Sequence, residues 1–179
     1  MITTPFLPPR PMMGEKLTAE NVIKIAHIRR ANGYSLTRKL NGDHGILEST
    51  GGGVLILWNR FGGIYSNAVD LSPWKGIGRG LLLDGEIWKQ RFYPWERIDV
   101  AVNAQDRLDY AKTLCHACKV DWMYGPVDDD WLVIEAGMPG QNPRTRTYEG
   151  FVSKLITSKY TPAKTVYQEC PFYIKDKWT

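Results

Sequence analysis

The chain has 179 residues, 43% of them hydrophobic and 23% charged, a one-domain length with enough apolar mass for a core. This balance excludes intrinsic disorder, a collagen-like repeat and a small disulfide scaffold, and no run of about 18 apolar residues could cross a membrane as a helix. Lys and Arg total 23 against 19 Asp and Glu, and the resulting +4 allows a polyanionic partner without demanding one.

Residues 1–14 hold four of the eleven prolines and are expected to form an extended arm on a single domain spanning 1–179. That stretch lacks the apolar centre of a signal peptide. Three cysteines, an odd number, read as reduced thiols, and cytoplasm is the expected compartment. Thr18 is placed as the cap of a helix of roughly 14 residues, with Val22, Ile25, Ala26 and Arg29 at helical spacing and Asn32-Gly33 as its stop. From Tyr34 to Asp99, β-prone runs alternate with glycine clusters: Gly45–Ser49, Val54–Trp58, Ile64–Val69, Leu81–Trp88 and Arg91–Ile98. A second helix is expected from Asn103 to Cys118, its buried face formed by Ala104, Leu108, Ala111, Cys115 and Cys118. Three further β-like runs follow, at Trp131–Ala136, Tyr148–Leu155 and Pro171–Lys177. Strand clusters broken by helices without regular βαβ alternation predict an α+β fold on antiparallel sheets. The acidic run Asp128–Asp130 reads as a solvated turn rather than a metal site.

Four short elements carry candidate chemistry. Lys39-Leu-Asn41-Gly42 lies where the strand-rich part begins. Leu83-Asp84-Gly85-Glu86-Ile87 wraps an acidic pair around a glycine inside an apolar strand, where a hairpin turn fits poorly. Glu149-Gly-Phe-Val-Ser-Lys154 sets a carboxylate at the head of a β-run, and Lys175-Asp-Lys177 sets two lysines on one strand face. Taken singly, each also fits a salt-bridged surface position.

Taken in order, with Arg60-Phe-Gly62 and Tyr93-Pro-Trp95-Glu-Arg-Ile98 between them, these elements resemble the covalent nucleotidyltransferase superfamily of ATP-dependent DNA ligases, RNA ligases and mRNA capping enzymes. The resemblance spans residues 39–177. It implies a ligase-type adenylation domain, α+β, with two antiparallel β-sheets flanked by helices around a nucleotide cleft. It implies Lys39 as the nucleophile toward ATP, with Lys175 and Lys177 assisting catalysis and, with Lys154, binding the nucleotide. Arg60 is implied near the ribose and neighbouring phosphates, Glu86 at the ribose or a metal, and Glu149 at the metal, Mg²⁺. Trp95 takes the place of the aromatic that stacks on the purine, with Tyr93 as its rival. Nucleic-acid ends or nicks are the implied partner. The chain stops two residues past the Lys-x-Lys strand, which implies a minimal core whose OB-fold role falls to a separate helper domain or protein.

Attack on a phosphate needs a neutral amine, whereas a free lysine has a pKa near ~10.4. Lys154, Lys175 and Lys177 are expected to depress Lys39 and to neutralise charge on the α-phosphate. The chain departs from the family pattern at Thr37, Asn41 and His44, where glutamate, aspartate and arginine are commoner, and these departures lean toward RNA ligases. Two other readings stand beside strand joining: a capping-type GTP:RNA guanylyltransferase, and a non-catalytic nucleic-acid-binding module that keeps the fold. Cys115-His116-Ala-Cys118 has zinc-like spacing. His116, however, leaves the face that the two cysteines share with Leu108 and Ala111, so helix packing is the expected role. Arg144-Thr-Arg146, beside Lys159 and Lys164, reads either as a phosphate contact or as a solvated loop.

Overall fold

Among the residues that the computed structural model describes, 7–137 and 146–178, eight strands and three α-helices follow the alternation of β-prone runs and turns. In chain order they are β1 (Arg10–Leu17), α1 (Val22–Ala31), β2 (Tyr34–Leu40), β3 (Asp43–Gly51), β4 (Val54–Asn59), β5 (Leu82–Trp88), β6 (Arg91–Arg97), α2 (Ala104–Ala117), α3 (Asp129–Ala136), β7 (Tyr148–Leu155) and β8 (Glu169–Trp178). The strands form two four-stranded sheets, ordered β1-β8-β7-β2 and β4-β3-β5-β6. The second sheet is antiparallel throughout. The first is mixed, because β1 runs parallel to β8. Residues 10–14 of the proline-rich segment therefore belong to a sheet.

Three other expectations change. Trp131–Ala136 is helical rather than β: Asp128 caps α3 by accepting from the Trp131 amide at 2.8 Å, and Asp129 pairs with His27 and Arg30. The acidic run is thus a helix start, where carboxylates complement the helix dipole. Ile64–Val69 is not a strand, since only Ile64 bridges to Trp58. α1 begins at Val22, four residues past Thr18, because the Thr18 carbonyl accepts from Asn21 and Val22 in a preceding turn.

Each sheet buries an apolar face. Leu36 on β2 and Phe151 on β7 pack with Val22 and Ala26 of α1 and Leu132 of α3. Leu47, Leu83, Ile87 and Phe92 of the other sheet pack with Trp74 and Cys115. The opposite faces look toward each other across a cleft. Alternation does the sorting: Leu83 and Ile87 enter the core while Asp84 and Glu86 line the cleft, and Leu36 is core while Thr37 and Lys39 are cleft. Cys115 is buried in the apolar cluster with Cys118 against it, and burial pushes the Cys115 thiol up to about 12.

Arg29, on the buried stripe of α1, ties the helix to β8. Its guanidinium donates to both oxygens of the fully buried Asp176, at 2.9 and 3.1 Å, and the Glu15 amide donates to the same carboxylate at 2.7 Å. Asp176→Ala is expected to lower stability by about 2–3 kcal/mol, as three charge-assisted donors lose one acceptor. Urea unfolding checks this, and a loss below about 0.5 kcal/mol would remove the carboxylate from the first sheet's framework.

Candidate active site

The cleft between the sheets has a volume of about 680 Å³. It receives Lys39 from β2, Glu149 and Lys154 from β7, Lys175 and Lys177 from β8, His44 from β3, Asp84 and Glu86 from β5, and Trp95 from β6. Lys39 sits beside a register shift in β2. Its partner across the sheet is Gly150, at φ +141°, where an added Cβ would strike the Asp176 carbonyl. Only glycine is comfortable there, and the irregularity brings Glu149 against the Lys39 ammonium.

Lys39 forms an ion pair with Glu149 and lies 3.6 Å from Glu86. Lys177 Nζ donates to the other Glu149 oxygen at 2.8 Å. Burial opposes the charge on Lys39, but Glu86 and Glu149 together outweigh it and its pKa is raised. The expected depression by lysines is therefore not what this arrangement produces, because carboxylates lie nearer to Lys39 than the cations do. Lys175 is the depressed lysine instead, by burial and then by the like charges of Lys177, Lys39 and Arg10. Glu149 is held below the usual carboxylate range: burial opposes this, and Lys39 and Lys177 overcome it. Glu86 behaves oppositely. Burial pushes it up to about 7 against Lys39 and His44, and its buried Oε2 has no hydrogen-bond partner.

Lys154 lines the cleft, yet its ammonium is engaged by Glu96 at 3.0 Å and lies 5.0 and 5.1 Å from the rings of Trp95 and Tyr173. Arg60 follows β4 on another wall, its guanidinium 4.6 Å from the Phe61 ring. Trp95 faces the cleft and approaches His44 at 5.1 Å between ring centroids. Tyr93 instead packs with Leu40 and Tyr124 in an apolar cluster, and its carbonyl accepts from the Tyr124 hydroxyl at 2.6 Å. Arg146 donates to the Glu135 carboxylate at 3.2 Å and lies over Trp178, while Arg144 lies outside the described residues.

Two clusters have no role in the reading from sequence. The fully buried Glu96 accepts from Arg107 at 2.9 Å, from Lys154 and from the Tyr173 hydroxyl at 3.3 Å. His44 is bonded to Asp84, whose other oxygen accepts from Tyr160 at 3.0 Å. Burial opposes protonation of His44 and Asp84 outweighs it, so the pKa is raised. The departure at His44 is a cue for this second cluster; Glu96, a lone carboxylate in a β-run, offers none.

Glu86 and Glu149 suit a hard divalent cation: both are carboxylates of the cleft, and Glu86 has an oxygen without a partner. No three-residue His, Cys, Asp or Glu cluster exists among the described residues. A small oxophilic ion would thus complete its shell from phosphate and water, which is the habit of Mg²⁺.

No protein-family model matches the chain, and no curated relative matches it. Solved structures do. A mycobacterial DNA ligase D complexed with ATP aligns at 18% identity and TM-score 0.63, over 96% of this chain and 60% of that one. The ligase domain of M. tuberculosis LigD aligns at 17% and 0.61, over 96% and 59%. The ATP-dependent DNA ligase of bacteriophage T7, in complex with ATP, aligns at 14% and 0.50, over 94% and 68%. The chain spans about three-fifths of the mycobacterial chains it matches. Its two facing sheets and flanking helices are the fold of the nucleotidyltransferase core of ATP-dependent ligases.

Proposed function

We propose that the chain is an ATP-dependent polynucleotide ligase-type nucleotidyltransferase that works through a covalent lysyl-AMP intermediate. The single observation that carries this reading is the placement of Lys39. It stands in the cleft between Glu86 and Glu149, and Lys177 grips the far oxygen of Glu149. A structural ion pair needs one carboxylate. Two carboxylates and two more lysines around one amine form a centre that can pass charge to a phosphate.

Deprotonated Lys39 Nζ attacks the α-phosphorus of ATP. The N–P bond forms as the bond from phosphorus to the β-bridging oxygen breaks, pyrophosphate leaves with the electron pair, and one of the two protons of the attacking amine passes to water. Lys175 and Lys177 offset charge on the phosphates, and Trp95 offers its ring to the base. Glu86 and Glu149 would hold Mg²⁺, which would supply positive charge to offset that on the α-phosphate and favour the neutral amine of Lys39. A 5′-phosphate oxygen of a nucleic-acid strand then displaces Lys39 from the adenylate. Attack of a 3′-hydroxyl on that 5′-phosphorus joins the strands and releases AMP.

Incubation with α-labelled ATP or GTP and Mg²⁺, followed by denaturing electrophoresis, tests the reading. ATP is expected to leave an acid-labile labelled band, and Lys39→Ala to reduce it by about a thousandfold or more. A band from GTP alone would instead assign the capping-type chemistry. No band from folded protein, with nucleic-acid binding indifferent to Lys39→Ala, would assign a binding module.

A further inference from the structure

The cations of the cleft divide into two groups. Lys39 and Lys177 face Glu149, and Lys154 faces Glu96. Arg10, Arg38, Arg60 and Lys175 line the same cleft, and among the described residues none of the four is in an ion pair with a carboxylate. Arg38 donates to the Pro126 carbonyl and Arg60 lies against Phe61, which leaves Arg10 and Lys175 on the first sheet. Unpaired like charges held close together are unfavourable unless an anion comes between them. Arg10 is among the like charges that depress Lys175, after burial, Lys177 and Lys39.

Sheet register orders these groups. Gly150 of β7 is paired with Lys39 on one side and with Lys177 on the other. Lys175 lies two residues further along β8, opposite Val152, and pairs on its outer side with Met13 of β1. Arg10 lies beyond, three residues before Met13 on the outermost strand, opposite Glu169 of β8 and across a bulge between Pro11 and Met12. Moving away from Lys39, the positive groups run Lys177, Lys175, Arg10. A phosphate chain with its α-phosphorus at Lys39 would meet them in that order.

The backbone at Arg10 is anchored, and its side chain is exposed. Pro8 and Pro9 before it are buried, and Pro11 follows. The Leu7 carbonyl accepts from Ala163 at 2.9 Å, and the Arg10 amide donates to Gln168 at 3.1 Å. Prolines on both sides restrict the backbone, so the strand gives up little freedom on binding, and the ordering cost falls on the exposed Arg10 side chain alone.

We propose that Arg10, together with Lys175, binds the β- and γ-phosphates of the nucleotide, so that the N-terminal strand is part of the nucleotide site. The assignment rests on the adenylyl-transfer reading above for the identity of the ligand. Arg10 then offsets the negative charge that develops on the leaving pyrophosphate as its bond to the α-phosphorus breaks, and a guanidinium can take two phosphate oxygens at once.

Calorimetric titration of the wild type, Arg10→Ala and Arg10→Lys with inorganic pyrophosphate and, separately, with AMP tests it. Arg10→Ala is expected to weaken pyrophosphate about tenfold and leave AMP unchanged, with Arg10→Lys in between. The ATP concentration for half-maximal labelling of Lys39 is expected to rise by a similar factor. Pyrophosphate binding that is absent from the wild type, or unchanged by Arg10→Ala, overturns the proposal. Equal weakening of AMP overturns it too, as does weakening confined to 5′-phosphorylated DNA. A labelled adduct with Arg10-independent pyrophosphate binding would remove only the role of the arm. Arg10-dependent pyrophosphate binding without any adduct would remove the transferase reading and leave the anion site standing.

Discussion

Glu96→Ala is expected to cost about 3–5 kcal/mol of stability, the usual consequence of stranding buried charge. The carboxylate is fully buried and is the shared acceptor of Arg107, Lys154 and Tyr173. Burial opposes its ionisation, yet Lys154 and Arg107 hold it below the ordinary carboxylate range. Without Glu96, Arg107 keeps two carbonyl acceptors, those of Val102 at 2.7 Å and Ser158 at 3.1 Å. Among the described residues, Lys154 keeps only the faces of Trp95 and Tyr173. The loss therefore falls mainly on Lys154, and adding Lys154→Met to Glu96→Ala is expected to recover a large part of it. Urea unfolding of the two single variants and the double variant reads this coupling directly. A Glu96→Ala chain within about 1 kcal/mol of wild type would show that water enters the cluster freely. Because Glu96 follows Trp95 on β6, the same substitution is expected to loosen the wall on which the base would lie.

Glu86→Gln is expected to stabilise the protein at alkaline pH while abolishing transfer. Burial raises the Glu86 pKa from 4.5 to about 7, so the folded chain holds a proton that the unfolded chain gives up. The sign follows from linkage. Protonated Glu86 gives its full advantage below about pH 4.5, and that advantage disappears as pH rises through about 7. At about 1.4 kcal/mol per unit, wild type at pH 8 lies on the order of 3 kcal/mol below the glutamine variant, or up to roughly 10 °C in Tm for a chain of this size. Near pH 4 the two are expected to coincide. Melting curves from pH 4 to pH 8 make the comparison. A variant no more stable than wild type at pH 8 would mean that Lys39 and His44 offset the whole cost of burying the carboxylate. Such a residue is retained at a loss of stability, as expected of a group kept for chemistry.

How much of this is legible beforehand depends on the range of the interaction. β5 is legible because apolar Leu83 and Ile87 alternate with acidic Asp84 and Glu86, a pattern that needs a strand with one wet face. The chemistry-bearing elements are legible by their order, and Lys39, Glu86, Glu149, Lys175 and Lys177 meet in one cleft. Trp131–Ala136 is not legible, since a short apolar run looks alike in a buried strand and a short helix; the Asp128 cap decides it. The polarity of Lys39's surroundings is hidden too. The sequence offers three lysines and two carboxylates, and only the cross-sheet geometry makes the carboxylates nearer. Glu96 reads as an ordinary strand position until Arg107 and Lys154 arrive from other elements. The parallel neighbourhood of β1 and β8 has no local signature at all.

That last pairing orders events during synthesis. The sheet β4-β3-β5-β6 is made of neighbours in sequence and is complete by Arg97, so it can form while later residues are still being added. The other sheet cannot. β2, which carries Lys39, waits for β7, and β1 waits for β8, the Glu15 amide reaching a carboxylate 161 residues away. Long loops must close before those contacts repay their entropy. The half of the molecule that presents Trp95 and Glu86 is therefore shaped early, and Lys39 comes into place only with the closing strands. A nascent chain halted after Arg97 would have one wall of the cleft and no Lys39 opposite it, so reactivity toward a nucleotide would switch on late and all at once.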